Sequence, residues 1–292
     1  MHLIDQRDTS VISTTRYPAS DIAREFGKLW AFLRRDALIA WSYRRGAVSE
    51  LVGLLGQAGI FYFFSFLVDP ARMPTLGGTR AGYLAFVIVG LMVATFYQTG
   101  VGRMMGAVRQ EQLTGTFEAL LITPTALTTL QLGLVIYALI HIPVRALLFL
   151  GLAVGLFGID LHWAGMGAAF LVILALLPFI WGVAAALTAV VVTYRQATQL
   201  IAIANFALVM GSGTYFPLSL FPRWVSAAAR LNPLALALDG VRGVLIGGER
   251  WYTIVPEIRL ILIISLFVWV FGVLAFRMAL ERERRAGTLG LY

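Results

Sequence analysis

The sequence predicts an all-α integral membrane protein with six transmembrane helices and several shorter helices that do not cross the membrane. Of the 292 residues, 59% are hydrophobic and only 13% are charged, and the mean hydropathy is +0.83. Soluble domains average about 25% charged residues, so the composition excludes a water-soluble fold. The apolar residues also form runs of about 20, the length that a helix needs to cross a bilayer.

The predicted transmembrane helices are the long runs that lack charged side chains. A hydrocarbon core roughly 30 Å thick is crossed by about 20 helical residues at a rise of 1.5 Å each. The runs that meet this requirement cover 51–68, 82–102, 127–158, 164–193, 197–216 and 260–276. Of the 23 basic and 15 acidic residues, only Arg145 falls inside a run.

The distribution of arginine and lysine predicts the orientation. Fifteen basic residues lie in the N-terminal segment, the second and fourth loops and the C-terminal tail, and seven lie on the opposite side. Because cytoplasmic loops carry the excess of positive charge, both termini are predicted to be cytoplasmic. The bias for arginine over lysine, with much alanine and glycine, favours a bacterial inner membrane protein.

The chain divides into a cytoplasmic N-terminal segment at 1–46, a transmembrane domain at 47–280 and a cytoplasmic tail at 281–292. In the first segment, Ile22, Phe26, Leu29, Trp30 and Leu33 share one face of a predicted helix that also carries basic residues. Such a basic amphipathic helix is typical of one lying in the membrane interface. Packing on a partner protein is the alternative.

A non-spanning segment at about 104–124 joins the second and third runs. Gly115 can end one helix in a left-handed conformation, Thr116 can cap the next, and Pro124 interrupts the chain. These signals predict a short helix from Thr116 to Ile122. An ordinary connector is the alternative interpretation.

A second non-spanning segment at about 217–250 precedes the last run. Asparagine at the N-cap, proline at the first helical position and glycine after the last turn predict two short helices. The longer one, from Asn232 to Ile246, reaches about 21 Å and is too short to cross. It is predicted to be re-entrant from the external face, with Asp239 and Arg242 within reach of each other. The residues that define the segment are Pro217, Pro222, Asn232, Pro233, Asp239 and Arg242.

Two motifs in these segments resemble a known family. The sequence TGTFEALLITP at 114–124 is similar to the family pattern Gly-Thr-(Leu/Phe)-Glu-x-Leu-Leu-x-Thr-Pro. The second motif is SGTYFP at 212–217, followed by Asn-Pro at 232–233 and Arg-Gly at 242–243. With their order among six spans, they resemble the permease subunits of ATP-binding cassette exporters of the type 2 superfamily, which export drugs, lipids and polysaccharides.

The resemblance implies that the first non-spanning segment is a cytoplasmic coupling helix that docks on a nucleotide-binding subunit. The residues implied in coupling are Arg109, Glu111, Gly115, Thr116, Glu118, Leu120, Leu121 and Pro124. The chain has no Gly-x-x-x-x-Gly-Lys-Ser/Thr phosphate loop, since its single lysine is followed by leucine. ATP and magnesium are therefore expected in a separate ATPase chain, with no cofactor or metal in this one, and the resemblance implies a homodimer.

By the same resemblance, the translocation path of an amphipathic solute runs along the dimer interface between the first, second and fifth spans. The candidate path residues are Gln57, Phe61, Phe64, Gln98, Asn205 and Met210. Phe61 and Phe64 belong to an aromatic run that can line a path or simply face lipid. Membrane lipids are the other expected partners, and nothing indicates nucleic acid.

His141 and Arg145 are the ionisable residues predicted inside the membrane, four residues apart on one helical face. An arginine at this depth usually faces a partner or a cavity. One interpretation is a site for an anionic headgroup or phosphate. The other is a structural arginine bonded to a carbonyl or to Gln57, Gln98 or Asn205, since no acid is predicted inside the spans.

Two other function classes are considered. A membrane-embedded lipid or sugar transferase would use His141 or His162 with Asp160, but acid–base catalysis needs convergent groups. A secondary transporter would show buried acids or broken helices in repeated halves, and the sequence shows neither.

Three pairs of glycines four residues apart allow close helix packing within the chain. They are Gly102 and Gly106, Gly151 and Gly155, and Gly243 and Gly247.

Overall fold

The computed structural model describes residues 20–42, 44–69, 73–76, 79–80, 82–113, 127–194 and 198–286. Within these residues the chain is almost entirely helical. In chain order the α-helices are α1 (Ser20–Ser42), α2 (Arg44–Ser65), α3 (Tyr83–Leu113), α4 (Leu127–Phe157), α5 (Met166–Thr193), α6 (Thr198–Met210), α7 (Arg223–Ala229), α8 (Pro233–Leu245) and α9 (Val255–Ala286).

Short elements connect some of the helices. Strands β1 (Thr75–Leu76) and β2 (Thr79–Arg80) form an antiparallel hairpin between α2 and α3. Single 3-10 turns lie at Trp163–Gly165 and Leu218–Leu220. The hairpin and both turns lie at the same end of the helices as α7 and α8, and we call this the α8 end.

Four helical stretches of the described residues are long and apolar enough to cross a membrane. They are Val48–Ser65, Tyr83–Arg103, Trp163–Thr193 and Val255–Arg282. Two more apolar stretches, Pro143–Phe157 and Gln199–Met210, are shorter. The prediction of six spans is therefore not confirmed by length and composition.

Helix α6 ends six residues before the predicted end of the fifth span. At 13 residues it is about 20 Å long, less than the hydrocarbon thickness. The chain leaves the helix because Gly213 adopts a φ of +78°, a left-handed conformation that favours glycine. Residues 211–216 consequently form a turn instead of the last turns of a span.

Helix α8 occupies the centre of the α8 end, although it is too short to span. Asn232 caps it, because its Oδ1 accepts a hydrogen bond from the backbone N–H of Leu234 at 3.0 Å, and Pro233 takes the first helical position. Eleven of its thirteen residues are buried. It packs against α3, α5 and α9, so the apolar segment reaches into the protein and is not a solvated loop.

Helices α5 and α9 form the most extensive helix pair of the structure. Their backbones meet at two glycines: a Cβ added to Gly272 would overlap the carbonyl oxygen of Gly182. Beside this crossing the indole rings of Trp181 and Trp269 pack edge to face, with centroids 5.9 Å apart. Small residues thus allow a close approach that larger ones would prevent.

The N-terminal helix α1 packs on α4. A Cβ added to Gly133 would lie 2.5 Å from the ring of Phe32, so the ring fills the space that this glycine leaves. Trp30, Leu38 and Trp41 remain exposed along α1. An exposed row of large apolar side chains next to arginines is typical of an interfacial helix.

Candidate functional site

The buried side chain of Arg242 joins α8 to two other parts of the chain. Its Nε donates to the carbonyl of Phe86 at 3.2 Å, its Nη1 to Gly213 at 3.0 Å and its Nη2 to Thr214 at 2.9 Å. We call this arrangement the Arg242 junction. It connects α8, the first turn of α3 and the turn after α6.

The guanidinium of Arg242 also stacks on an aromatic ring, since its Cζ lies 3.4 Å from the ring centroid of Phe86. The side chain is 1% exposed. Burial lowers the pKa of Arg242 to about 9, Asp239 acts in the opposite direction, and the group stays charged at neutral pH. Three carbonyl dipoles and an aromatic face therefore solvate a charge that water does not reach.

The turn at the Arg242 junction is held by its own side chains. The hydroxyls of Ser212 and Thr214 lie 2.9 Å apart, and the Ser212 hydroxyl also donates to the Val209 carbonyl at 2.6 Å. Gly213 presents its carbonyl to Arg242 in the left-handed conformation described above. Both halves of the second sequence motif thus meet at one charged side chain.

Close packing on α3 completes the Arg242 junction. A Cβ added to Gly90 would overlap the carbonyl oxygen of Thr214 and lie 2.7 Å from Nη2 of Arg242. Only glycine leaves room for the turn to approach this helix.

The predicted proximity of Asp239 and Arg242 does not describe how Arg242 is bonded. The hydrogen bonds of Arg242 within the described residues all go to backbone carbonyls, while the exposed Asp239 acts on Arg242 electrostatically, without a hydrogen bond. The carbonyls are the partners because the Arg242 side chain is buried among them.

Helix α2 contributes a largely uncovered apolar surface. From Val48 to Ser65, Ala58 is the one buried residue. Phe63 is 71% exposed and Phe64 50% exposed. In contrast, about two thirds of the residues in Tyr83–Arg103 of α3 are buried. A helix with so little of its surface covered requires lipid or another protein around it.

Helix α6 exposes a second apolar surface, formed by Leu200, Ile203 and Phe206 at helical spacing. The turn that follows α6 lies next to α2, because the rings of Phe61 and Tyr215 stack with centroids 5.5 Å apart. The exposed surfaces of α2 and α6 are therefore linked at the α8 end.

The structure brings some of the predicted path residues together. Phe61 and Phe64 contact each other, with ring centroids 6.3 Å apart. Asn205 of α6 accepts a hydrogen bond from the hydroxyl of Tyr97 on α3 at 2.8 Å. Tyr97 was not predicted, although an isolated tyrosine in an apolar run signals a buried hydroxyl that needs a partner.

The other predicted path residues are not joined to this group. Gln57 is half-buried, Gln98 is exposed on α3, and Met210 is half-buried at the end of α6. Among the described residues, no hydrogen bond or ring contact links them to Phe61 or Asn205.

Arg145 has a different partner from those predicted. Its Nη1 forms a salt bridge with Glu50 of α2, and not with Gln57, Gln98 or Asn205. The expectation that no acid is available was wrong, because Glu50 lies one residue before the first predicted span and helix α2 carries it to α4. His141 stacks on Tyr137 of the same helix, with centroids 5.2 Å apart.

Most of the predicted coupling segment lies outside the described residues. This applies to Gly115, Thr116, Glu118, Leu120, Leu121 and Pro124. Arg109 and Glu111 belong to the end of α3, and their side chains are not among those described. The coupling residues thus stay a prediction.

The side chains that a transferase would use as catalysts, His141 or His162 with Asp160, do not form one site. His141 lies 16 residues before the end of α4, about 24 Å along the helix from the α8 end. The backbone N–H of His162 is bonded there to the carbonyl of Leu245 at 2.8 Å, and the side chain of Asp160 is exposed. The arrangement provides no common acid–base site.

A family model described as ABC-2 type transporter matches residues 28–246. The match covers about three quarters of the chain, from within α1 to the residue after α8. This chain belongs to the ABC-2 type transporter family. A comparison with curated proteins gives no match.

Membership identifies the chain as an ABC-type permease, the membrane component of a transporter. The long apolar helices and the family together make this ABC-2 permease a multi-pass membrane protein. Its exposed apolar surfaces consequently face lipid or protein rather than water. The matched region contains the whole Arg242 junction and both exposed surfaces.

Proposed function

We propose that this chain is the permease subunit of an ATP-driven exporter in the bacterial inner membrane. Two copies would form the translocation path for an amphipathic substrate such as a drug, a lipid or a lipid-linked glycan. A separate ATPase chain would bind ATP and magnesium and drive transport. The observation that carries the proposal is the uncovered, partly aromatic surface of α2 and α6 in a chain of the ABC-2 family.

In this proposal both termini are cytoplasmic and the α8 end is external. The segment between α3 and α4 then faces the cytoplasm, where an ATPase chain can reach it. Because α3 is a continuous helix of 31 residues, a displacement of that segment would be transmitted along α3. It would reach the Arg242 junction, where Arg242 of α8 is bonded both to α3 and to the turn after α6.

Replacing two residues of the predicted coupling segment should weaken its association with the ATPase chain. For Leu121→Asp combined with Glu118→Ala, we expect about 10- to 100-fold weaker association, the loss that follows from exposing one buried leucine. The measurement is co-purification of the coexpressed ATPase chain with the tagged permease, together with the ATP hydrolysis of the complex. Membrane insertion of the variant should be unchanged.

Leu289→Asp, in the predicted cytoplasmic tail, is the matched control because it places the same charge outside the coupling segment. It should retain the ATPase chain. Unchanged association of the Leu121→Asp, Glu118→Ala variant would reject this coupling segment. A permease that transports without any ATPase chain would reject the proposed function.

Pairing of two copies can be tested by disulfide formation, since the chain contains no cysteine. Single cysteines are placed at exposed positions of the two surfaces: Ile60 and Phe64 on α2, Leu67 in the turn after it, and Leu200, Ile203 and Phe206 on α6. We expect crosslinked dimers in membranes at some of these positions, where symmetry brings two Cα atoms within about 7 Å.

Phe267→Cys on α9 is the matched control, because Phe267 is 73% exposed on a helix outside the proposed interface. It should stay monomeric under the same oxidation. Equal crosslinking at Phe267, or none at any α2 or α6 position, would contradict the proposed pairing.

A further inference from the structure

A groove with a volume of about 400 Å³ lies between α5 and α9 at the α8 end. Both helices begin at this end, and the groove extends along their first turns. The side chains that line it are apolar, among them Leu171, Leu174 and Ala175 of α5, Ile258 and Leu262 of α9, and Trp251 just before α9. Its volume and apolar lining suit a hydrocarbon chain.

The groove opens onto the surface of the protein. Leu171 is 50% exposed, Leu262 is 44% exposed and Trp251 is 64% exposed. Since the chain is a multi-pass membrane protein, these side chains face lipid or protein rather than water. Trp251 and the exposed Tyr252 next to it mark the level where the hydrocarbon meets the headgroups.

Two arginines stand at the headgroup end of the groove. Arg250 immediately precedes Trp251, and Arg259 lies three residues before Leu262 on the same side of α9. Both side chains are exposed. The hydrogen bond described for Arg250 is to the hydroxyl of Tyr252 at 3.3 Å, and none is described for Arg259. Their donors are available to an anion.

The neighbouring acids do not compete for these arginines. Glu257 is two residues from Arg259, hence on the opposite side of α9, and it acts electrostatically on Asp239 of α8. The carboxylate of Glu249 accepts a hydrogen bond from the Thr253 hydroxyl at 3.4 Å. Among the described residues, neither Arg250 nor Arg259 forms a salt bridge, so both guanidinium groups can bind a phosphate.

We propose that this groove binds an anionic phospholipid in the leaflet at the α8 end. One acyl chain lies between α5 and α9, and Arg250 and Arg259 bind the phosphate of the headgroup. Long arginine side chains near a helix end reach the headgroup region readily. The site is separate from the surfaces of α2 and α6, and it does not depend on the proposed direction of transport.

The test uses the full-length chain in bilayers that contain acyl-brominated phosphatidylglycerol or acyl-brominated phosphatidylcholine, because bromine quenches nearby tryptophan fluorescence. The quenching of Trp251 is obtained as the difference in quenched fluorescence between the protein and its Trp251→Phe variant. We expect half-maximal quenching at a mole fraction at least about fivefold lower for phosphatidylglycerol, since each well-placed arginine supplies a preference of about fivefold.

Two variants separate the parts of the site. Arg259→Gln should lower the preference for phosphatidylglycerol about fivefold, whereas Arg230→Gln, at the exposed arginine that follows α7, should keep it. Ala175→Leu narrows the groove and should weaken quenching by both lipids, whereas Ala228→Leu on α7 should not. Arg259→Gln changes an exposed side chain, so the test does not depend on a core substitution being tolerated.

Three results would overturn the proposal. If the two lipids reached half-maximal quenching at equal mole fractions, the arginines would not select an anion. Equal effects of Arg259→Gln and Arg230→Gln would show that the charge acts non-specifically. Lack of quenching by either lipid would show that protein, such as a second copy, covers the groove.

Discussion

Replacement of Arg242 by methionine should destabilise the folded protein by at least about 2 kcal/mol. The carbonyls of Gly213 and Thr214 would lose these donors while they stay buried, and each buried polar group without a partner costs about 1–3 kcal/mol. The measurement is thermal unfolding of the purified protein, together with the yield of folded protein from membranes. Arg242→Lys should also be destabilised, because one ammonium nitrogen cannot reach three carbonyls that separate guanidinium nitrogens now bind.

Arg230 provides the matched control for this result. It is an exposed arginine that directly follows the neighbouring helix α7, so Arg230→Met should change stability by less than about 0.5 kcal/mol. A second variant disturbs the packing of the Arg242 junction without removing the charge of Arg242. Gly90→Ala places a methyl group against the Thr214 carbonyl and should cost about 1–3 kcal/mol, whereas Gly102→Ala on the same helix has open space. Equal stability of Arg242→Met and Arg230→Met would show that the junction does not stabilise the fold.

Replacement of Gly272 by valine should separate α5 from α9. The first added carbon already overlaps the carbonyl oxygen of Gly182, and the two further methyl groups have no space in a crossing that is formed by backbone atoms. We expect a loss of about 3 kcal/mol or more for Gly272→Val and a smaller loss for Gly272→Ala, in line with the cost of overpacking. Thermal unfolding measures the loss, and Trp181 and Trp269 beside the crossing should report a change in fluorescence.

Gly167 of α5 serves as the control, since a Cβ added there meets no atom within 4 Å. Gly167→Ala should be neutral or slightly stabilising, because alanine favours helix over glycine by up to about 1 kcal/mol. If Gly272→Ala proved as stable as Gly167→Ala, the two helices would not be as close as described.

The short helices of the α8 end were predictable because their signals are local. The predicted helix from Asn232 to Ile246 is observed at Pro233–Leu245, and the preceding one is observed at Arg223–Ala229. A capping asparagine, a proline and a terminal glycine each act on the adjacent turn. Their effect can therefore be read without knowing what the helix packs against.

The glycine contacts were not predictable from spacing. A Cβ added to Gly102, Gly106, Gly151 or Gly155 would meet nothing within 4 Å, although these glycines form the expected pairs. The close contacts occur at Gly90, Gly182 and Gly272 instead. Which glycine is needed depends on where two helices cross, and spacing along one helix does not contain that information.

The sequence by itself determined the class of protein, since charge-free runs of about 20 residues are stable only in a bilayer. It also determined the two short helices α7 and α8 and the family resemblance, both of which depend on residues close together in the chain. Only the tertiary structure decided that Arg242 binds carbonyls 28, 29 and 156 residues away, and that Arg145 pairs with Glu50. The physical reason is that a polar group in an apolar environment takes the partner that helix packing brings within reach, at any distance along the chain.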